Sequence, residues 1–320
     1  MNVALLAAAL LAGCLLAVQS SVNLQLNGAV KTPYGASSVQ LSVATVLLAV
    51  AALAAGTIGA VSGISDVTWW HLLGGLASPL YITSGILLFP RLGALAAVGL
   101  FVTGQMFASL ALDLFGLIGV PKDDLSVGIV VGAIAVLAGI TMIIKQRPAP
   151  QLVGRSVGAM EKPVSSLGAG RVGWVTLGIV AGAVLPIQGA VNAKLKADLN
   201  APLTVAMVSF IVATLTIAIV LVVLLAFKRT PTPQFKPLAK MPWWGWLGGA
   251  CAATYVTATF LLIPEIGAAT TVALTVTGQQ LASAVVDNFG LFRMPKRPLT
   301  SRRITGLALL VAGSVLVQLT

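Results

Sequence analysis

The chain has 320 residues, 58% of them hydrophobic and only 8% charged, with a formal net charge of +11 and a mean hydropathy of +1.01. A soluble domain needs roughly 25% charged residues to cover its surface, so a water-soluble globule is excluded and apolar residues must face lipid. The basic residues sit in short connections between apolar runs, the pattern of topology signals and headgroup contacts, which excludes nucleic acid as the partner.

Apolar runs of about 20 residues, the length that crosses a ~30 Å hydrocarbon core, recur along the whole sequence. In lipid each must close its own backbone hydrogen bonds, so each reads as a helix. Ten spans are predicted, over residues 3–20, 36–60, 70–89, 92–117, 126–145, 172–190, 203–227, 243–263, 267–289 and 302–319. The first has the length of a signal peptide, but Met1-Asn2 lacks a basic n-region and the segment has a counterpart in mid-chain, so a retained helix is expected. Cys14 and Cys251 fall inside apolar runs and read as small packing residues rather than a disulfide or metal site. His71, beside Trp69-Trp70, and the cluster Trp243, Trp244 and Trp246 read as interfacial anchors. Between the fifth and sixth spans, Lys145 to Arg171 is rich in Pro, Gly, Ser and basic residues. It divides the chain into a first half (1–145), a linker (146–171) and a second half (172–320).

The two halves repeat each other. An offset of 169 maps Gln19 onto Gln188, Asn23 onto Asn192, Pro33 onto Pro202 and Thr45 onto Thr214. After the second span the offset becomes 174, mapping Trp70 onto Trp244, Gly74-Gly75 onto Gly248-Gly249, Tyr81 onto Tyr255 and Thr83 onto Thr257. It continues through Pro90 and Pro264, Gly104-Gln105 and Gly278-Gln279, Ser109 and Ser283, and Asp113 and Asp287. Five spans per half is an odd number, so the halves must enter the membrane in opposite senses, the arrangement of secondary transporters whose site lies where the halves meet. The fold expected is thus all-α and integral to the membrane, with ten transmembrane helices as two inverted five-helix repeats. Sixteen of the nineteen Lys and Arg fall in connections on one side and three (Lys122, Lys194 and Lys196) on the other, which places the linker in the cytoplasm and both termini outside.

Polar groups within spans are costly and usually face a bundle interior or cavity. Gln19 and Asn23, with Gln188 and Asn192, stand at i, i+4 and so share a helix face. They can line a cavity or only bind helices together. Pro186, just before Gln188, is expected to break or kink the sixth span. A second pattern, Gly-Gln-x-x-x-Ser-x-x-x-Asp-x-Phe-Gly-Leu, occurs from Gly104 and again from Gly278. It aligns Gln105 and Gln279 as substrate-facing groups, with Asp113 and Asp287 about 12 Å further along. These carboxyls either end their helices by pairing with loop cations or backbone, or carry a coupling proton, since burial raises a carboxyl pKa. Tyr81 and Tyr255, beside Thr83 and Thr257, can line a cavity, stack on a cationic or aromatic ligand, or sit satisfied in the bundle. Gly128-x-x-x-Gly132 and Gly178-x-x-x-Gly182 permit close helix approach.

The second half, from Leu185-Pro186-Ile187-Gln188-Gly189-Ala190-Val191-Asn192-Ala193 through Pro242-Trp243-Trp244 and Gly267-Ala268-Ala269 to Gly278-Gln279 and Asp287-x-Phe289-Gly290-Leu291, resembles the YdcZ-type family of the drug/metabolite transporter superfamily. The first half is similar more loosely, departing at His71 and at Leu95-Ala96. The resemblance implies five helices per half, an inverted pseudo-twofold bundle in the inner (plasma) membrane, and alternating access around a central cavity. Single-half members would need to dimerise, whereas this fused chain can act as a monomer or a homodimer.

The function expected is a carrier or exporter of a small neutral or cationic metabolite or drug-like molecule, working in the lipid bilayer with protons as the candidate coupling ion. A multiply charged anion would find no buried Arg or Lys at the centre of a span to offset its desolvation. A membrane channel, or a lipid-moving scaffold without proton coupling, is the alternative. An enzyme is not expected: the aspartates lack the Tyr-Asp and Gly-x-Gly-Asp contexts of intramembrane proteases, and no nucleophile and base stand together. No Gly-Lys-Ser phosphate loop occurs, and neither a cofactor nor a metal is expected.

Overall fold

Helices account for nearly all of the computed structural model, which describes residues 3–120, 122, 124–145, 169–266 and 268–319. Residues 146–168 of the predicted linker lie outside that range. The helices are α1 (Val3–Val30), α2 (Pro33–Ala54), α3 (Ser78–Leu92), α4 (Ala94–Phe115), α5 (Val127–Ile144), α6 (Ala169–Leu199), α7 (Pro202–Ala226), α8 (Leu247–Ile266), α9 (Ala268–Phe289) and α10 (Ser301–Leu319), and no strand occurs among the described residues. Among the described residues, seven stretches are long and apolar enough to cross a membrane: α1, α2, residues 69–92, α4, α5, α6 from Val172, and α7. Much of the polarity of α9 is turned inward, with Thr271, Thr275, Gln279, Gln280, Ser283 and Asp287 all buried.

Several helices depart from the predicted spans for physical reasons. Proline opens α2, α3 and α7 at the first or second position, where its missing N–H costs nothing and its fixed φ suits the helix. The first span was expected to end at residue 20, but α1 runs ten residues further, with Ser20, Ser21, Asn23 and Leu26 buried. Its polar residues face protein instead of marking a boundary. Likewise α6 continues without interruption through Pro186 to Leu199, so the expected break is not there. The third and eighth spans begin as 3-10 segments, Trp69–Ala77 and Trp243–Trp246, before becoming α3 and α8.

Helices of the two halves interleave. α1 packs on α8 and α9, α6 on α3 and α4, α2 on α7, α4 on α9, and α5 on α10. Small residues make these crossings close. A Cβ built on Gly132 would lie 2.7 Å from the carbonyl oxygen of Gly313, and one on Gly139 2.5 Å from that of Gly306, so α5 and α10 touch backbone to backbone. Van der Waals packing of this kind holds helices together where lipid is as apolar as the side chains.

Contacts between connections identify the two ends of the bundle. At the basic end, Thr32 and Thr230 share a hydrogen bond of 2.8 Å, Gln234 N donates to the Val30 carbonyl, and the Arg297 guanidinium donates to the Pro90 carbonyl. At the opposite end Thr204 donates to the Thr57 carbonyl, and His71 pairs with Asp198 at 2.5 Å. His71 therefore has a hydrogen-bond partner beyond the interfacial role expected of it.

Candidate functional site

Where α1, α3, α6, α7 and α8 converge lies a cavity of about 130 Å³. One water needs roughly 10–15 Å³ on that measure, so the space suits a small organic molecule. Its wall combines Leu16 and Gln19 of α1, Ser78, Tyr81 and Ile82 of α3, and Leu185, Gln188, Gly189 and Asn192 of α6. Phe210 of α7 and Ala252, Tyr255, Val256 and Thr259 of α8 complete it. Ten of these residues are five sequence-repeat pairs: Leu16 with Leu185, Gln19 with Gln188, Ser78 with Ala252, Tyr81 with Tyr255 and Ile82 with Val256.

The polar groups are held differently on the two sides. Gln188 exchanges hydrogen bonds with Ser78, its Nε2 donating to Ser78 Oγ at 2.8 Å and the hydroxyl donating back to Oε1 at 3.1 Å. The mate of Ser78 is Ala252, and the Gln19 Oε1, on a side chain only 2% exposed, has no hydrogen-bond partner among the described residues. A buried acceptor without a donor costs about 1–3 kcal/mol, and this one belongs to a residue of the cavity lining. Asn192 Oδ1, also buried, is unpartnered as well. Because Asn192 Oδ1 is turned onto Gly74, the Gln19 acceptor and the lack of a cation among the lining residues are what favour a ligand that donates hydrogen bonds.

Of the eight residues expected to bind substrate, Gln19, Tyr81, Gln188, Asn192 and Tyr255 line the cavity. Gln279 stands one step behind it, with Nε2 donating to the Tyr81 hydroxyl at 2.8 Å, so it positions the ring. The Tyr81 ring also leans on Phe101, with centroids 4.8 Å apart. Gln105 is half-buried away from the wall, with its Nε2 unpartnered. Asn23 serves as a brace: its Nδ2 donates to Gln40 Oε1 at 3.0 Å, as Asn192 Nδ2 does to Ser209 Oγ at 3.1 Å. Both asparagines press on a glycine of the other half. A Cβ on Gly248 would lie 2.1 Å from Asn23 Oδ1, and one on Gly74 2.1 Å from Asn192 Oδ1. Sequence reasoning missed Ser78, Phe210 and Thr259, whose mates Ala252, Leu41 and Gly85 hid them from a search for mirrored polar positions.

The candidate proton carriers lie away from the cavity. Asp287 is fully buried and caps α4, accepting from Ala94 N at 2.7 Å and Leu95 N at 3.2 Å, where a carboxylate complements the helix dipole. Arg303 donates to the same carboxylate at 2.5 Å. Gly93 allows this approach: its φ is +87°, and a Cβ there would lie 2.8 Å from Asp287 Oδ2. Arg297 closes the cluster, and its pKa is lowered from the usual arginine value by burial, with Asp287 opposing the shift and Arg303 adding to it. Asp113 is half-buried near the end of α4.

Comparison with known proteins gives three results. The family described as "Putative inner membrane exporter, YdcZ" matches residues 4–142 and 173–316. "Inner membrane protein YdcZ" of Escherichia coli (strain K12) is 30% identical over 83 residues, covering 26% of this chain and 55% of that protein, so the alignment spans little more than half of the relative. A solved crystal structure with 18% identity superposes over 98% of this chain and 94% of its own with a TM-score of 0.59, which shows a shared fold.

Proposed function

Because the chain belongs to the YdcZ family of inner membrane exporters and is a multi-pass membrane transporter, we propose that it carries a small neutral or cationic organic molecule through the central cavity by alternating access between two inverted five-helix repeats. The observation that carries this reading is the buried, unpartnered Gln19 carbonyl in a wall built from repeated pairs. A ligand N–H or O–H satisfies it, Tyr81 and Tyr255 offer ring faces to a cation, and no lining Arg or Lys offsets an anion's desolvation.

The asymmetry of the cavity supports alternation. It extends between α6 and α8 through Gly189, Asn192 and Thr259, and a Cβ on Gly189 meets nothing within 4 Å. The equivalent seam, α1 against α3, is packed: Ser20, Asn23 and Gly85 are buried, and a Cβ on Gly85 would lie 3.3 Å from Ser20 Oγ. Each seam opposes one glycine to one hydroxyl, Ser20 to Gly85 and Gly189 to Thr259, so the open seam has the residues to close as the other has. With the basic end in the cytoplasm, the open seam faces outward. Ser37 and Thr83 latch the closed side with a hydrogen bond of 2.9 Å; Ala206 stands where a second serine would be needed on the other. Asp287, engaged by three donors, is a structural cap in this reading, and any coupling proton falls to Asp113.

Cysteine accessibility tests it. In a chain with Cys14 and Cys251 replaced, Gly189→Cys reacts with a membrane-impermeant maleimide from outside and Ser20→Cys does not; a transported ligand changes both rates in opposite directions. Equal reactivity from the same side sinks alternation. Exchange-stimulated, saturable counterflow separates a carrier from a channel.

A further inference from the structure

A second pocket, of about 280 Å³, opens at the basic end between α1 and the connection from α7 to α8. We infer that it binds the headgroup of an anionic phospholipid. Lys240 and Arg293 reach it from two different connections, and Gln25, Gly28 and Ala29 of α1 form the opposite wall. Neither cation forms an ion pair among the described residues. The chain has few acids to offer at this end: only Glu161 and Asp287 belong to the connections and helix ends there, and Asp287 is held by Arg303.

The pocket is built around Arg293. Gln25 Nε2 donates to the Phe292 carbonyl at 2.9 Å, and the Arg293 guanidinium lies 5.6 Å above the Trp244 ring. Phe292 and Arg293 hold φ of +55° and +61°, a left-handed conformation that is strained for residues with a Cβ. The equivalent turn of the first half is Ile118 and Gly119, with φ of +55° and +70°. Glycine there adopts the turn freely, whereas the second half keeps a strained arginine. The mates of Gln25 and Lys240 are Lys194 and Asp66. The opposite end thus carries a lysine and an acid in place of two unopposed cations, and the repeated scaffold does not itself require Lys240 or Arg293.

Depth in the bilayer selects the ligand. On the same connection Trp243 is 75% exposed, an amphipathic ring of the kind that sits at headgroup level, and the apolar Phe235 beside it is 59% exposed. Two cations flanked by such anchors meet a phosphodiester where an anionic leaflet presents it. A free phosphate shares that charge but gains nothing from the aromatic belt.

The test is saturable lipid binding by the purified full-length protein, read as a rise in unfolding temperature with phosphatidylglycerol, phosphatidylcholine or inorganic phosphate. The expected result is stabilisation by phosphatidylglycerol alone. Lys240→Gln/Arg293→Gln should weaken it about 25-fold, roughly fivefold for each cation removed near the surface, while Lys228→Gln/Arg229→Gln, the same charge change confined to the α7–α8 connection, leaves it intact. Arg293→Gly separates binding from folding: it should unfold at a higher temperature without lipid, because the strained turn relaxes, yet respond less to phosphatidylglycerol. Equal losses in both double variants would mean diffuse surface charge, and equal stabilisation by phosphate would mean a soluble anion site; either overturns the assignment.

Discussion

Replacing Asp287 with asparagine tests whether that buried carboxylate holds the molecule together or serves transport. The charge it balances is Arg303, only 6% exposed, and breaking a buried pair by removing one partner costs about 3–5 kcal/mol. The lower end applies, because Arg303 Nη1 keeps the carbonyls of Arg297 and Pro298 at 2.5 and 3.3 Å, and asparagine still accepts from one of the two α4 amides. Asp287→Asn should therefore lose about 3 kcal/mol, measured by reversible unfolding in mixed micelles. Asp287→Asn/Arg303→Met removes the stranded cation and should recover about 2 kcal/mol, leaving a cap deficit of about 1 kcal/mol. A single variant as stable as the parent refutes the reasoning. So does one that folds normally but no longer accumulates substrate against a pH gradient, because the carboxyl would then be the proton carrier.

Other substitutions have separable outcomes. Gln19→Leu removes an orphaned acceptor, so stability should hold or rise while substrate affinity falls about tenfold, or ~1.4 kcal/mol, in a paired unfolding and uptake measurement. Tyr81→Phe strands the buried Gln279 amide at a cost of about 1–3 kcal/mol, and adding Gln279→Leu should recover most of it in the same assay. Gly248→Ala drives a Cβ into the Asn23 carboxamide and should destabilise by about 1–3 kcal/mol; Asn23→Ala in the same chain relieves the clash but strands Gln40 Oε1, so the double variant should lose less than the sum of the two single changes in the same unfolding assay.

The repeat register was readable in the sequence because glycines, prolines and amides recur at fixed offsets, and it brought the Gln19, Gln188, Tyr81 and Tyr255 positions forward together. Depth was harder to read. Polar residues after Gln19 look like the end of a span, yet they continue α1 because neighbouring helices, not water, satisfy them. Gln105 and Gln279 were expected to face substrate on their height along the helix alone; which way a helix is rotated depends on the partners it packs against. Ser78 was invisible for the opposite reason, since the search for mirrored polarity passes over a serine whose mate is alanine. The Asp287 cap needed the α3–α4 corner and the α9–α10 connection brought together, across some 190 residues of sequence.

That serine has one more consequence. A chamber whose two halves were identical would accept any ligand in two orientations of equal energy, related by the axis between the halves, and cargo would tumble between them without preference. Ser78 occupies one amide and leaves the other open, so the degeneracy is lifted and a donor group is drawn to the Gln19 side. On the proposed reading, a small molecule in such a chamber has a head and a tail, and Ser78 acts with the other one-sided wall residues, Asn192, Phe210 and Thr259, to set which end leads.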